Sequence, residues 1–250
     1  MKRSDGIRVA NLFPSDWANF IDPNFPRLGM GFDVATSLKV AGGGGKKTVS
    51  NPSAICLDQQ IGLQCITRLI LRFRTNDPAV AIAIIDVILA GIPEGMRVGK
   101  LCIDASNERF FAVNVKSHLA GRVTVIPVIS GEKTTYGSVP MNFKQYLGSQ
   151  LVDMLEDGYS PLPEAEWLRK DMRLVKKVGD TFDTELDEDG NHGDTFDAKK
   201  LAVHALVGKG GPAQASGAKV GTYGGRAGAG TRKFRNPYAS KFESKPRRAI

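Results

Sequence analysis

Three cysteines and three histidines in 250 residues leave little material for a zinc module or a disulfide framework. Cys56, Cys65 and Cys102 form no C-x-x-C pair, and His118, His192 and His204 lack zinc-ligand spacing. This cysteine usage fits a reducing compartment. Long apolar sequence is also scarce. The longest run, "AVAIAIIDVILAGI", is about 14 residues, short of the ~20 a membrane helix needs, and Asp86 interrupts it. It reads as a buried helix. The N-terminal "MKRSDGIRVANLF" has no apolar stretch of the secretory type. Nucleotide loops are missing too. In "AGGGGKKT", Lys46 stands where the second glycine of a Walker loop belongs, and Lys46 is followed by Lys47 rather than a hydroxyl. No helix pattern follows the glycines, so a dinucleotide fingerprint is excluded. The stretch from Ala41 to Lys47 reads as a glycine turn between two strands. No repeat of about 20–50 residues is present.

What the chain does contain is an ordinary globular composition, 42% hydrophobic and 24% charged, with an uneven charge distribution. The formal net charge is +8. Residues 208–250 hold ten Lys/Arg and one acid, whereas the remaining 207 residues hold 24 basic and 25 acidic ones. The body is near neutral and the tail basic. Glycine and alanine dominate that tail and apolar periodicity is lost, so 208–250 is expected to be disordered. Basic residues interleaved with Tyr223, Phe234 and Tyr238 suit salt-sensitive phosphate contact with some base stacking. A solubilising or docking tail fits the same composition.

Before the tail the pattern predicts an irregular lead-in over 1–27, where Pro14, Pro23 and Pro26 punctuate the chain, and one α/β domain over 28–207. "RLGMGFDVATSLKV", "SAICLDQ" and "QCITRLILRFRT" read as an antiparallel meander. Asp77-Pro78 then caps a helix from Ala79 to about Leu89. "GKLCIDAS" is a fourth strand, "NERFFAVNVKSHLAG" a helix and "RVTVIPVIS" a fifth strand. Phe143, Leu147, Leu151, Met154 and Leu155 share one face of a helix that stops at Gly158. Pro163 opens another helix through Trp167. "RLVKKVGDTFDTELDEDG" reads as a charged hairpin, and "DTFDAKKLAVHAL" as the last helix. The order is βββ-α-β-α-β-α with a hairpin inserted before the last helix.

Three carboxylates fall at informative places. Asp33 lies within an apolar strand and Asp104 near the end of another, each followed by a small and then a hydroxyl residue ("DVATS", "DAS"). A carboxylate in a central strand is uncommon unless it is paired or metal-bound. Either aspartate alone also reads as a strand-end turn former. Asp194 opens the last helix, where it reads equally as an N-cap. Asp197, three residues on, shares much of its face, as a fourth ligand or a first-turn charge. His192 is an accessory candidate for protonation, or an exposed loop histidine. Three hard oxygen donors from separate elements suit Mg²⁺ or Mn²⁺, and two such ions suit in-line phosphoryl displacement.

The blocks "LGMGFDVATS…NPSAICL", "KLCIDASNERFF" and "NHGDTFDAKKLAVHAL", led by "SDWANFIDPNFPRLGMGFD", resemble the nuclease domain of phage terminase large subunits, most closely of the Mu-like type, over roughly residues 10–207. The resemblance implies an RNase H/RuvC-like fold: a mixed sheet, antiparallel over its first three strands and then parallel, flanked by helices. It implies an endonuclease that cuts phage DNA during packaging, with Asp33, Asp104 and Asp194 holding two divalent ions, Mg²⁺ or Mn²⁺. The strand after the second helix and the following "GEKTTYG" would border the DNA, with Lys133 as a phosphate contact. Implied partners are double-stranded DNA, a terminase ATPase domain or subunit (this chain carries no Walker motif), the small terminase subunit and the portal or procapsid. The implied location is the cytoplasm of the bacterial host, transiently at the portal, with no membrane partner. Junction resolvases and transposases share such an acid triad. A non-catalytic DNA-binding packaging module would carry the aspartates as structural groups. Sugar-kinase and actin-like ATPases also begin with a strand aspartate, but no second nucleotide-binding half is evident here.

Overall fold

A computed structural model of the chain describes residues 13–35, 52–179, 181–188 and 192–208. The glycine turn expected at Ala41–Lys47 and the expected basic tail beyond Gly208 lie outside the described residues. A short 3-10 turn, Trp17–Phe20, breaks the lead-in expected to be irregular.

The layering starts from β1 (Arg27–Asp33), whose side chains alternate between two faces. Leu28, Met30 and Phe32 enter a large apolar core, while Gly29 and Gly31 face the other way. β2 (Ser53–Ile61) and β3 (Gln64–Phe73) pair antiparallel beside β1. α1 (Pro78–Ala90) begins where the Asp77 carboxylate accepts the Ala79 N–H at 2.9 Å, with Pro78 at its first position. β4 (Arg97–Asp104), α2 (Arg109–His118) and β5 (Thr124–Val128) follow, with β4 parallel to both β1 and β5. The five-stranded sheet has the order β3-β2-β1-β4-β5, so β1 is central. Ile84, Ile85 and Ile88 of α1 and Phe111 and Val115 of α2 close the first face over Phe32, Ile55, Leu101 and Ile103.

The second face is covered by α5 (Asp194–Val207), with α3 (Phe143–Glu156) and α4 (Glu166–Met172) packed beside it. Here the sheet presents small side chains. Ala54 and Cys56 meet Ala198 and Ala202, and Cys102 lies with Leu201 and Phe143. The sheet is the expected one, antiparallel then parallel. No helix among the described residues is long and apolar enough to cross a membrane.

Two local expectations need correction. The helix expected from Pro163 begins only at Glu166 and runs to Met172, because the proline-punctuated stretch 161–165 has no regular structure and Ala165 caps the helix in a β conformation. The charged hairpin is present as β8 (Val175–Val178) and β9 (Thr181–Thr184), but it is not alone. A second hairpin joins β6 (Lys133–Tyr136) to β7 (Val139–Asn142) through Gly137 and Ser138, both at positive φ (54° and 76°). Two positive-φ residues are what a tight two-residue hairpin turn requires. The "Gly-Ser" between two four-residue strands was its sequence signal.

α5 carries an unusual load of buried polar groups. The Lys199 ammonium is fully enclosed and donates to Asp58 Oδ2 (2.7 Å), Thr67 Oγ1 (2.8 Å) and the Cys65 carbonyl (3.1 Å), so all three of its protons are used. His204 is buried edge-on against Phe143 and Tyr146, with Nδ1 lacking a hydrogen-bond partner. Burial first, and the Lys100 charge second, pull its pKa down to about 4. Because its folded pKa lies below the unfolded value of about 6.5, the unfolded chain binds the extra proton. The stability that neutral His204 supplies is therefore full above about pH 6.5 and lost as pH falls toward 4. Denaturant titrations at pH 7.5 and 4.5 should show His204→Leu losing less stability on acidification than the parent, by about 2 kcal/mol. Equal acid sensitivity would exclude this role.

Candidate active site

Asp33 and Asp104 are the last residues of adjacent parallel strands, one step beyond the Phe32–Ile103 pair. Each follows a core residue of the first face, so strand alternation turns both carboxylates toward the α5 side. The Asp104 carboxylate accepts the Ser106 N–H at 2.9 Å, and Ser106 Oγ in turn accepts the Ser130 N–H at 3.0 Å. That pair of bonds ties the turn after β4 to the loop after β5.

What brings the last helix to these strands is the absence of side chains at Gly29 and Gly31. A Cβ on Gly31 would lie 2.1 Å from the Ala198 carbonyl oxygen and 2.3 Å from the Ala202 nitrogen. The α5 backbone thus rests directly on β1, in line with Asp33 two residues on. The helix begins at Gly193, whose φ of 77° serves as the cap; Asp194 is the first helical residue rather than the N-cap. Its start is further fixed by Asp171 of α4. The Asp171 carboxylate accepts the Thr195 N–H (2.9 Å) and hydroxyl on one oxygen and the Arg72 guanidinium (2.7 Å) on the other.

The result is an acidic set contributed by three elements. The Asp33 carboxyl is pushed well above the ordinary carboxylate range, first by burial and then by the charges of Asp197, Asp194 and Asp104; Lys200 pulls it back. Asp194 is fully buried, and neither of its carboxylate oxygens has a hydrogen-bond partner. His192 Nδ1 lies 3.1 Å from Asp194 Oδ1, but off the direction of a hydrogen bond. Burial raises the Asp194 pKa to about 6; His192 lowers it, and Asp171 and Asp197 raise it. Asp197 is partly exposed and bonded by Lys200 Nζ at 2.5 Å.

Asp104, Asp194 and Asp197, singled out in the sequence, each act electrostatically on Asp33, and half-buried His192 stands beside Asp194. Lys133 is exposed at the first position of β6, opposite Asn142. The cation that acts on Asp33 is Lys200, which sequence reasoning passed over. Its signal was the i, i+3, i+6 spacing of Asp194, Asp197 and Lys200, which keeps the three near one side of the first two helical turns. Among the described residues, no three His, Cys, Asp or Glu side chains are gathered tightly enough to hold a metal ion as they stand. The donor set nonetheless suits a hard divalent cation: carboxylate oxygens only, with two of them buried on Asp194 and unpartnered. A buried carboxylate without donors is costly unless a cation or a proton joins it.

No protein-family model and no curated protein sequence matches the chain. Solved structures do resemble it. The large terminase of a thermophilic bacteriophage superposes with a TM-score of 0.51 at 9% identity in one crystal form, covering 79% of this chain and 44% of that one. A second crystal form of the same phage protein gives 0.50 at 10% identity, over 79% and 45%. The chain thus spans less than half of that large terminase. The Thermus phage P74-26 large terminase nuclease domain gives 0.47 at 14% identity, over 74% of this chain and 82% of that one. The fold is that of the large terminase in these two crystal forms, the RNase H-like mixed α/β architecture that the sequence resemblance implied.

Proposed function

We propose that the chain is a metal-dependent endonuclease that cuts double-stranded DNA during genome packaging, as the nuclease domain of a terminase large subunit. The observation that carries this reading is the convergence of Asp104, from the adjacent parallel strand, and of Asp194 and Asp197, at the start of α5, on Asp33 at the end of β1. Asp33, Asp104 and Asp194 would hold two divalent ions, Mg²⁺ or Mn²⁺, with Asp197 as a further donor. Asp197 also raises the Asp33 pKa, which supports counting it with the set. The chemistry such ions would supply there is stabilisation of the attacking and leaving oxygens of a phosphodiester displacement.

The protein's own contribution is positioning. β1 and β4 hold two carboxylates at a fixed strand spacing, and α5 presents the others on a helix seated against Gly31. Asp104 is held by its turn, leaving one oxygen clear of the Ser106 bond. His192, 3.1 Å from Asp194, would hold or pass a proton at that carboxylate. Lys133 and the basic residues beyond Gly208 would contact phosphates, and the domain from about 28 to 207 would work with an ATPase domain or subunit, a small terminase subunit and the portal, in the host cytoplasm. Supercoiled plasmid incubated with Mg²⁺, Mn²⁺ or EDTA tests the reading. Nicking and linearisation are expected with either ion, none with EDTA, and none with Asp104→Ala. Full activity of Asp104→Ala contradicts the site, and a preference for four-way junctions over linear DNA would indicate a resolvase instead.

A further inference from the structure

The two adjacent lysines of α5 are both buried, yet they are held in different ways. Lys199 spends its three protons on Asp58, Thr67 and the Cys65 carbonyl, on the side of the helix that faces β2 and β3. Lys200 is 4% exposed, and among the described residues its hydrogen-bond acceptor is Asp197 Oδ1, at 2.5 Å. It is also the group that opposes the negative charges around Asp33. A buried ammonium with a single acceptor is poorly compensated, and a cluster of carboxylates without a cation repels itself. Each therefore makes up what the other lacks. While Lys200 is bonded to it, Oδ1 of Asp197 is not free to join its neighbours about a common ion.

We propose that Lys200 is the resident counter-cation of the acidic set, holding Asp197 beside Asp33 while no divalent ion is bound and giving way when one enters. This rests on the nuclease reading above and adds to it a residue that sets how much metal the site requires. Lys199 is the internal contrast. Its three acceptors lie outside the acidic set, so it should keep them whatever the site binds.

Calorimetric titration of the full chain with Mn²⁺ tests the idea. Lys200→Met should bind Mn²⁺ about tenfold more tightly than the parent, because the competing charge is gone. It should also melt at a lower temperature in EDTA and recover in Mn²⁺. Equal or weaker Mn²⁺ binding by Lys200→Met overturns the proposal. If that variant does not fold, lysine acylation of the parent read by mass spectrometry decides. Saturating Mn²⁺ should raise the labelling of Lys200 and leave Lys199 protected, and unchanged Lys200 labelling overturns the proposal. A parent chain that binds no Mn²⁺ removes the metal reading itself, whereas Mn²⁺ binding indifferent to Lys200 removes only this inference.

Discussion

Asp33→Asn is expected to abolish cleavage and, in the same preparation, to raise the melting temperature of the metal-free protein. The two effects have one source. Asp33 is placed where burial and three other carboxylates disfavour its charge, and the compensation by Lys200 is partial. Asparagine keeps the shape and removes the charge, relieving that repulsion when no ion is present. For the proposed reaction the same charge would be needed. Loss of groups that merely support metal ligands costs about 10- to 100-fold, so loss of a ligand should reduce plasmid cleavage by more than about 100-fold. The pH dependence fixes the sign. The folded pKa of Asp33 is raised, so its ionisation costs stability as pH rises through that value. Below about pH 4 the parent carboxyl is neutral in both states and the advantage of asparagine disappears. Melting curves in EDTA at pH 4 and pH 8, beside cleavage assays in Mg²⁺, check both halves. A variant destabilised at pH 8 would show that Asp33 is a structural group.

Gly31→Ala should be the most damaging glycine-to-alanine change among the described residues. The added Cβ would meet backbone atoms of α5, at 2.1 Å from the Ala198 carbonyl oxygen and 2.8 Å from the Leu201 carbonyl carbon, so no side-chain rotation relieves it. Overpacking against movable groups costs about 1–3 kcal/mol; against a helix backbone the loss should be about 3 kcal/mol or more. The helix would lift and carry Asp194 and Asp197 away from Asp33. Gly29→Ala should cost less, because its Cβ meets the Leu206 side chain at 2.7 Å, which can turn. Gly99→Ala, whose nearest neighbour is the Leu28 carbonyl at 3.8 Å, should be close to neutral. Urea unfolding of the three variants gives the ranking, and a Gly31→Ala protein as stable as Gly99→Ala would refute the account of how α5 is seated.

The strands and helices of the sheet were legible because their apolar periodicity matches their burial: Leu28, Met30 and Phe32 alternate with glycines, and Phe143, Leu147 and Leu151 recur at helical spacing. Asp33 and Asp104 were legible for the converse reason, as carboxylates interrupting such runs. The lysines were not. In "DAKKLAVHAL" two adjacent lysines look like a solvated face, and nothing local says that Asp58 and Thr67, more than 130 residues earlier, will enclose one of them. Asp171 was missed likewise, since its partners Arg72 and Thr195 come from β3 and α5. Pairings across the fold are invisible to pattern reading; a stripe of small residues beside an aspartate is not.

The seat of α5 on β1 also orders events during synthesis. Among the described elements β1 is made before the other strands, and α5 is the last helix, beginning at Asp194. Until that helix has emerged, Gly29 and Gly31 face an open trough, and Asp33 has only Asp104 for company. A nascent chain halted before Asp194 therefore carries at most half of the acidic set, and the arrival of α5 completes it.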